Sequence, residues 1–277
     1  MRRRAWLTGA SAVLLAGRRS VASGQAAKRP LVAAHRGGAL LWAENSMTAH
    51  RSALALGVDF LETDIHLTAD DEAVVLHDAT LDRTTTGRGP VSALKLADLR
   101  DLRLKAADGT VTADGIPTLG ALLDLLVGQR AELLLEIKVG ADRQRYPGIE
   151  EKALEAVKRR QLFDRTLVMG FQADTIRRVR ELEPRMRTVW LVSRTQLERQ
   201  GMSATDAVRR AADAGAVVLG IQHTALDAAG LDAARKANVR VAAWTVNEEA
   251  HVRRVIDLGV DVVISDRPDL ALRLAGR

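Results

Sequence analysis

The chain has 277 residues, and its apolar share of 47% is enough to bury a sizeable core. It contains no cysteine, which excludes disulfides and a lipid anchor on an N-terminal cysteine. The net charge of +6 would favour a nucleic-acid partner if it were spread over the folded surface. It is not, because residues 1–26 hold five of the 41 basic residues and no acid, which leaves 36 basic against 35 acidic residues.

The first 26 residues have the layout of a cleavable export signal. A basic start precedes an apolar stretch, residues 5–17, and small residues follow at 22–27. The apolar stretch is shorter than the roughly 20 residues that span a membrane. Arg3 and Arg4, in the string R-R-A-W-L, resemble a twin-arginine signal. We expect a removable signal at 1–26 and a mature protein, 27–277, that is periplasmic or secreted; a basic tail without a targeting role is the alternative.

Eight short apolar runs of β type follow, separated by segments with helical spacing. This alternation is typical of parallel βα units, and eight of them predict a single closed (β/α)8 barrel, or TIM barrel. The predicted strands are residues 31–35, 60–67, 133–138, 167–171, 188–192, 217–221, 239–246 and 262–265.

One stretch interrupts this alternation. Residues 78–116 are too many for a simple βα loop, are rich in Thr, Gly and Asp, and include a helix-like piece at 94–104. Long loops at the catalytic end of a barrel commonly shape the entrance for the substrate. We therefore expect a small inserted subdomain over the mouth of the barrel.

Charged residues stand at alternate positions on two predicted strands. In F-L-E-T-D-I-H-L-T, Glu62, Asp64 and His66 share one face, and in L-L-L-E-I-K so do Glu136 and Lys138. Buried carboxylates need compensation, and a hard cation such as Ca²⁺ or Mg²⁺ provides it through oxygen ligands. The alternative is a buried salt-bridge network of Glu62, Asp64, Glu136 and Lys138 without metal, although its net charge stays negative.

Two histidines end apolar runs and can reach the same barrel mouth. His35 lies in A-A-H-R-G-G and His77 in A-V-V-L-H-D. Imidazoles that titrate near neutrality can transfer protons to and from a reacting group. His66 is expected to be structural, as are the other histidines, and Asp266 is expected to cap the last helix.

The order and spacing of these strings resemble the glycerophosphodiester phosphodiesterase family of the phosphatidylinositol-phospholipase-C-like barrel group. The matching strings cover nearly all of residues 32–268: H-R-G with E-N-S, E-T-D-I-H-L-T, V-V-L-H-D-A-T-L-D-R-T-T-T-G-R-G, I-P-T-L, L-E-I-K, A-W-T-V-N and G-V-D-V-V-I-S-D-R-P. Two departures are mild: Ala43 stands where the family usually has proline, and Gly170 where it has serine.

The resemblance implies hydrolysis of glycerophosphodiesters to an alcohol and glycerol 3-phosphate. It implies His35 and His77 as the acid–base pair, and a divalent cation, Ca²⁺ or Mg²⁺, on Glu62, Asp64 and Glu136. It also implies that the phosphate and substrate contacts or site-ordering residues are Arg36, Lys138, Glu44, Asn45 and Trp244. Residues 78–116 then match the insertion of this family.

Three other functions stay open at this point. A lyase or lysophospholipid phosphodiesterase of the same barrel group would release a cyclic phosphate. A non-catalytic protein could bind glycerophosphodiesters without turnover, but none of the expected histidines or carboxylates is missing. An unrelated sugar-phosphate barrel would leave the paired strand carboxylates unexplained. The expected partner is a small molecule, with no nucleic acid and no membrane span in the mature form.

Overall fold

The computed structural model describes residues 29–277, so the predicted export signal lies outside the described residues. Within this part of the chain, nine strands form one sheet: β1 (Leu31–Ala34), β2 (Phe60–Leu67), β3 (Ala73–Val75), β4 (Glu132–Ile137), β5 (Thr166–Gly170), β6 (Arg187–Val192), β7 (Val218–Gln222), β8 (Arg240–Trp244) and β9 (Val262–Ser265). All but β3 are parallel to their neighbours, and pairing of β1 with both β9 and β2 closes the barrel. The predicted barrel is confirmed, with strand ends within two residues of those expected.

Helices connect the strands on the outside of the barrel. In the described part of the chain they are α1 (Met47–Leu56), α2 (Leu119–Leu126), α3 (Ile149–Arg159), α4 (Ala173–Leu182), α5 (Arg194–Gln200), α6 (Ala204–Asp213), α7 (Ala228–Lys236), α8 (Glu249–Leu258) and α9 (Pro268–Leu274). Helix α1 begins where the Ser46 side chain accepts a hydrogen bond from the Ala49 amide, and it ends at Gly57 in the left-handed conformation. No helix within residues 29–277 has the length and apolar character needed to cross a membrane.

The two faces of each parallel strand belong to different parts of the core. Alternate residues such as Leu61, Leu133 and Val168 point outward and pack against the helices. The residues between them fill the barrel with a second apolar cluster: Ala33, Phe60, Leu134, Leu167, Met169, Val189, Leu191, Val218, Ala242, Val262 and Ile264. Both faces are buried, which explains why these strands read as continuous apolar runs in the sequence.

The inward row of β2 changes from apolar to charged along the strand. It starts at Phe60 inside the apolar cluster and continues with Glu62, Asp64 and His66, all buried. On β4 the same row passes from Leu134 to Glu136. The register pairs Asp64 directly with Glu136, so the charged rows of both strands reach one level near the C-terminal end of the barrel.

Residues 78–116 form a compact layer beside the loop after β1. Leu81, Val91, Leu99 and Leu104 are buried with Ala43 of that loop in a third apolar cluster. The helix predicted at 94–104 was wrong: only Leu96–Leu99 forms a 3₁₀ turn. Isolated bridges of Leu104 with Thr85 and of Lys105 with Val111 hold the end of this stretch in an extended conformation.

Candidate active site

Three carboxylates meet at the C-terminal end of the barrel. Glu62 and Asp64 of β2 and Glu136 of β4 each offer an oxygen within 4.8 Å of those offered by the other two, and all three side chains are buried. Strand register explains the meeting, because Asp64 and Glu136 are direct neighbours on adjacent parallel strands. The convergence expected from alternate positions in the sequence is therefore present.

The charges around the carboxylates are only partly compensated. Lys138 Nζ lies 2.8 Å from Glu136 and 3.3 Å from Asp64, and Arg36 Nε lies 3.5 Å from Asp64. The salt-bridge network considered as an alternative thus exists, but it leaves Glu62 Oε1 buried with neither a hydrogen bond nor an ion pair among the described residues. Burial, followed by repulsion from Asp64, raises the pKa of Glu62 to about 8. A buried acceptor oxygen without a donor, on one of three carboxylates that repel each other, fits a hard cation bound among them.

The turn after β1 carries His35 and Arg36 to the same place. Arg36 has a positive φ of 51°, and its backbone N–H donates a hydrogen bond of 2.8 Å to Glu62 Oε2. Gly37 must be glycine, since its φ is 79° and a Cβ there would lie 2.8 Å from the Cβ of Ala49. The backbone of this turn therefore fixes His35 beside Glu62, with Nε2 of the ring 4.0 Å from Glu62 Oε2.

His35 is oriented by a carboxylate from the opposite end of the chain. Its Nδ1 lies 2.6 Å from Asp266 Oδ1, and the other oxygen of Asp266 accepts a 2.7 Å hydrogen bond from Asn247. The prediction that Asp266 caps α9 was wrong, because the N-cap position is Arg267 and no side chain caps it. The sequence contained the signal, however: Asp266 follows Ile264 at the inward spacing, just beyond the last strand.

Both the side chain and the backbone carbonyl of His77 make hydrogen bonds. Its Nδ1 lies 2.7 Å from Asp78 Oδ1, and its carbonyl oxygen lies 3.0 Å from His66 Nε2. A carbonyl only accepts, so Nε2 of His66 carries the proton and Nδ1 of His66 accepts the 2.9 Å hydrogen bond from the Tyr146 hydroxyl. Both ring nitrogens of His66 are thus engaged, and the ring supports the backbone of His77.

The two histidines line one small pocket of about 70 Å³. Its polar side has His35, Arg36, Glu62, His77 and Glu136; its apolar side includes Met169, Phe171, Leu191, Trp244 and Ile264. The Trp244 ring meets Phe171 edge to face with centroids 5.5 Å apart. Six of the ten predicted site residues therefore line the same cavity.

The other four predicted residues make contacts around this pocket. Asn45 has a positive φ of 59°; its amide donates to Asp64 over 2.9 Å, and its carbonyl oxygen accepts from Thr63. Glu44 accepts hydrogen bonds from Arg36 and Arg83. These bonds, the Lys138 contacts and the shared pocket bring all ten residues into one cluster. Four residues that were not predicted as site residues join it: Asp78, Arg83, Asn247 and Asp266.

The two imidazoles differ in proton affinity. Burial lowers the pKa of His35, but Glu62 and the hydrogen bond to Asp266 outweigh it, so the pKa is raised above 6.5. Burial also lowers the pKa of His77, and there it prevails, because Lys138 and Arg36 add to it against the effect of Asp64. His35 is therefore the more readily protonated of the two.

The fold and this site define a (β/α)8-barrel enzyme with a buried acidic cluster and two carboxylate-bound imidazoles at its mouth. The sequence profile of the Glycerophosphoryl diester phosphodiesterase family matches residues 35–270. The chain belongs to this family.

Similar proteins and solved structures match this chain over most of its length. A glycerophosphodiester phosphodiesterase of Caldanaerobacter subterraneus is 31% identical over 247 residues, which cover 89% of this chain and 98% of the relative. One from Bacillus subtilis is 30% identical, covering 87% and 85%. Among solved structures, a putative glycerophosphoryl diester phosphodiesterase of Agrobacterium tumefaciens has a TM-score of 0.82 at 26% identity, covering 89% and 97%. An Oleispira antarctica phosphodiesterase, solved in complex with the product sn-glycerol-3-phosphate, has a TM-score of 0.74 at 25% identity, covering 90% and 97%.

Proposed function

We propose that this protein hydrolyses glycerophosphodiesters to an alcohol and glycerol 3-phosphate, with a divalent cation, Ca²⁺ or Mg²⁺, as cofactor. One observation carries the proposal: two imidazoles, each bound through Nδ1 to a carboxylate, line the same pocket as Glu62 and Glu136. The other ring nitrogen, Nε2, is then left for proton transfer in each case. This arrangement suits in-line displacement at phosphorus, in which one group removes a proton and another supplies one.

The cation would be held by Glu62, Asp64 and Glu136. When bound, it would supply Lewis-acid stabilisation of the charge that develops on the phosphoryl oxygens. Arg36 and Lys138 would meet the same oxygens, since each already bridges to the carboxylates at the mouth of the barrel. Glu44 and Asn45 would keep Arg36 and Asp64 in place through their hydrogen bonds.

Proton transfer is the task of the histidines in this proposal. The attacking group is either water or the neighbouring hydroxyl of the glycerol moiety. One imidazole accepts its proton, and the other protonates the departing alcohol. If the hydroxyl attacks, the first product is a cyclic phosphate, and water must open this ring in a second step to give glycerol 3-phosphate. Trp244 would form a wall of the glycerol subsite: it lines the pocket, and its indole N–H has no hydrogen-bond partner among residues 29–277.

The function is tested on a panel of glycerophosphodiesters, with and without EDTA, by phosphorus NMR of the products. Glycerol 3-phosphate should accumulate only when a divalent cation is present. A cyclic phosphate that persists would instead support the lyase, and binding without any turnover would support a non-catalytic protein. Restoration of the EDTA-treated protein with Ca²⁺ and Mg²⁺ in turn identifies the cofactor.

The Asp266 carboxylate should control the ionisation of His35. Asp266→Asn removes a negative partner that raises the pKa of His35, so this ionisation should move to lower pH and less His35 should be protonated at neutrality. The pH limb of kcat/KM that reports His35 should move in the same direction, which a series of assays in buffers of increasing pH would reveal. Asp269→Asn, which removes an acid close to Asp266 in the sequence but paired with Arg267, is the matched control. An unchanged His35 ionisation would contradict the assignment.

We also propose that the protein is exported through a twin-arginine-type signal and acts in the periplasm or outside the cell. Support comes from the sequence alone, through the basic start, apolar stretch and small residues of positions 1–27. Cell fractionation, with mass spectrometry of the mature N-terminus, tests this. A full-length protein retained in the cytoplasm would refute it.

A further inference from the structure

Arg83 connects two carboxylates, Glu44 and Asp78, that each contact a residue lining the pocket. It lies in the 78–116 insertion, and its guanidinium donates to both oxygens of Glu44, each over 2.8 Å. The same guanidinium donates to both oxygens of Asp78, over 2.7 Å and 2.9 Å. Four hydrogen bonds from one fork to two carboxylates restrict the positions of both acids.

Each of these carboxylates holds a residue that lines the pocket. Asp78 Oδ1 lies 2.7 Å from Nδ1 of His77, and Glu44 Oε1 accepts a 3.2 Å hydrogen bond from Arg36. A continuous chain therefore runs from His77 through Asp78, Arg83 and Glu44 to Arg36. Arg83 does not itself line the pocket among the residues described, so it reaches the site only through its partners.

Stability alone does not account for this arrangement. The Arg83 side chain is 49% exposed, and ion pairs open to water contribute little to folding stability. The bonds to Arg83 do restrict the orientation of Asp78. The Asp78 side chain is partly exposed, so little else holds it against the imidazole of His77. Without the Arg83 guanidinium between them, the carboxylates of Asp78 and Glu44 would repel each other, and Asp78 could move away from the His77 imidazole.

We propose that Arg83 is a positioning residue that keeps Asp78 on His77 and thereby aims the imidazole at the substrate. This inference rests on the function proposed above, because it assigns His77 to proton transfer. The insertion then has a second role besides forming the layer beside the β1 loop: it fixes one of the two acid–base groups. The lowered pKa of Asp78, caused first by its hydrogen bonds with Arg83, agrees with a carboxylate that stays ionised in this position.

The kinetic test compares Arg83→Gln with the wild type. Misplacement of a reacting group lowers turnover, so kcat should fall by about tenfold to a hundredfold while KM changes little. Free guanidinium should restore part of the activity of Arg83→Ala. Arg88→Gln, an exposed arginine in the same insertion for which the structure shows no ion pair, should behave like the wild type. A higher KM with an unchanged kcat would overturn the proposal, since it would make Arg83 a substrate-binding residue.

A double-mutant cycle shows whether Arg83 acts through Asp78. In the Asp78→Asn background, Arg83→Gln should cost much less than it does in the wild type, because its target has already been removed. Additive losses would mean that Arg83 works independently of His77 and would refute the inference.

An NMR measurement separates this inference from the proposed function. In protein labelled with ¹⁵N-histidine, the Nδ1 proton of His77, assigned by its disappearance in His77→Gln, should be visible in the wild type. It should be lost or displaced in Arg83→Gln and retained in Arg88→Gln. A signal that is unchanged in Arg83→Gln would overturn the positioning role whether or not the protein cleaves glycerophosphodiesters. If the wild type lacks that activity but the signal responds, the proposed function fails and the positioning role stands.

Discussion

His35→Ala and His77→Ala should each lower kcat/KM for a glycerophosphodiester by about 10² to 10⁴-fold, the usual contribution of a general acid or base. Neither ring belongs to an apolar core cluster, so the fold should be retained. Release of glycerol 3-phosphate under identical cation concentrations measures the loss, and circular dichroism with thermal unfolding checks the fold.

His251→Ala is the matched control for both variants. His251 is exposed on α8 and contacts only the His223 ring among the ring pairs of the described residues. Its removal should leave turnover unchanged. Near-normal release of glycerol 3-phosphate by either His35→Ala or His77→Ala would remove that histidine from the mechanism and with it the two-imidazole scheme.

Glu62→Gln should remove cation-dependent turnover. It should also remove from the cation-free protein a buried carboxyl group whose ionisation is unfavourable. A cation that stabilises transition-state charge contributes several kcal/mol, so the expected loss is about 10³-fold or more. The folded pKa of Glu62 is about 8 and its ordinary value is 4.5, so the cation-free fold favours the protonated form. The stability of the cation-free wild type should therefore fall as pH rises from about 4.5 through about 8, and that of the variant should fall less.

Thermal unfolding in EDTA and with added Ca²⁺ or Mg²⁺, across this pH range, measures both effects. The variant should match or exceed the wild type in EDTA at pH 8 and should lose the stabilisation by the cation. Glu132→Gln, on the same strand as Glu136 but paired with Arg187 at the far end of the barrel, should change neither. A Glu62→Gln protein that still gains stability and activity from the cation would rule out the carboxylate site.

The barrel could be predicted because its strands are buried on both faces. Such strands read as uninterrupted apolar runs, and the period-2 rule then aligns their polar exceptions, which is how Glu62, Asp64 and Glu136 could be assigned to one site. Strand β3 was not counted because it has three residues and, among the named strands, pairs with the end of β2. The piece at 94–104 misled because its charge and leucine pattern suits a helix, whereas its backbone instead makes hydrogen bonds with Ala69, Thr86 and Asp114.

The contacts that orient the histidines were harder to predict. Asp266 could have been found from its spacing after β9, but Arg83 could not, since its path to Glu44 and Asp78 depends on the folded shape of the insertion. The conformations of Arg36 and Asn45 were equally hidden, because positive φ values at residues other than glycine are set by surrounding contacts. The alternation of residues along a strand was therefore enough to predict the acidic cluster, whereas the contacts around it depend on loops that meet only in the folded protein.

The bond between His35 and Asp266 spans 231 positions of the chain and crosses the seam where β1 meets β9. A nascent chain that has been synthesised through the first seven barrel strands already contains Glu62, Asp64 and Glu136. It does not yet contain Asp266, the residue that orients His35. The carboxylate that orients His35 is thus synthesised only after the final strand. Shortened translation products that end before residue 266 would lack the carboxylate that orients His35.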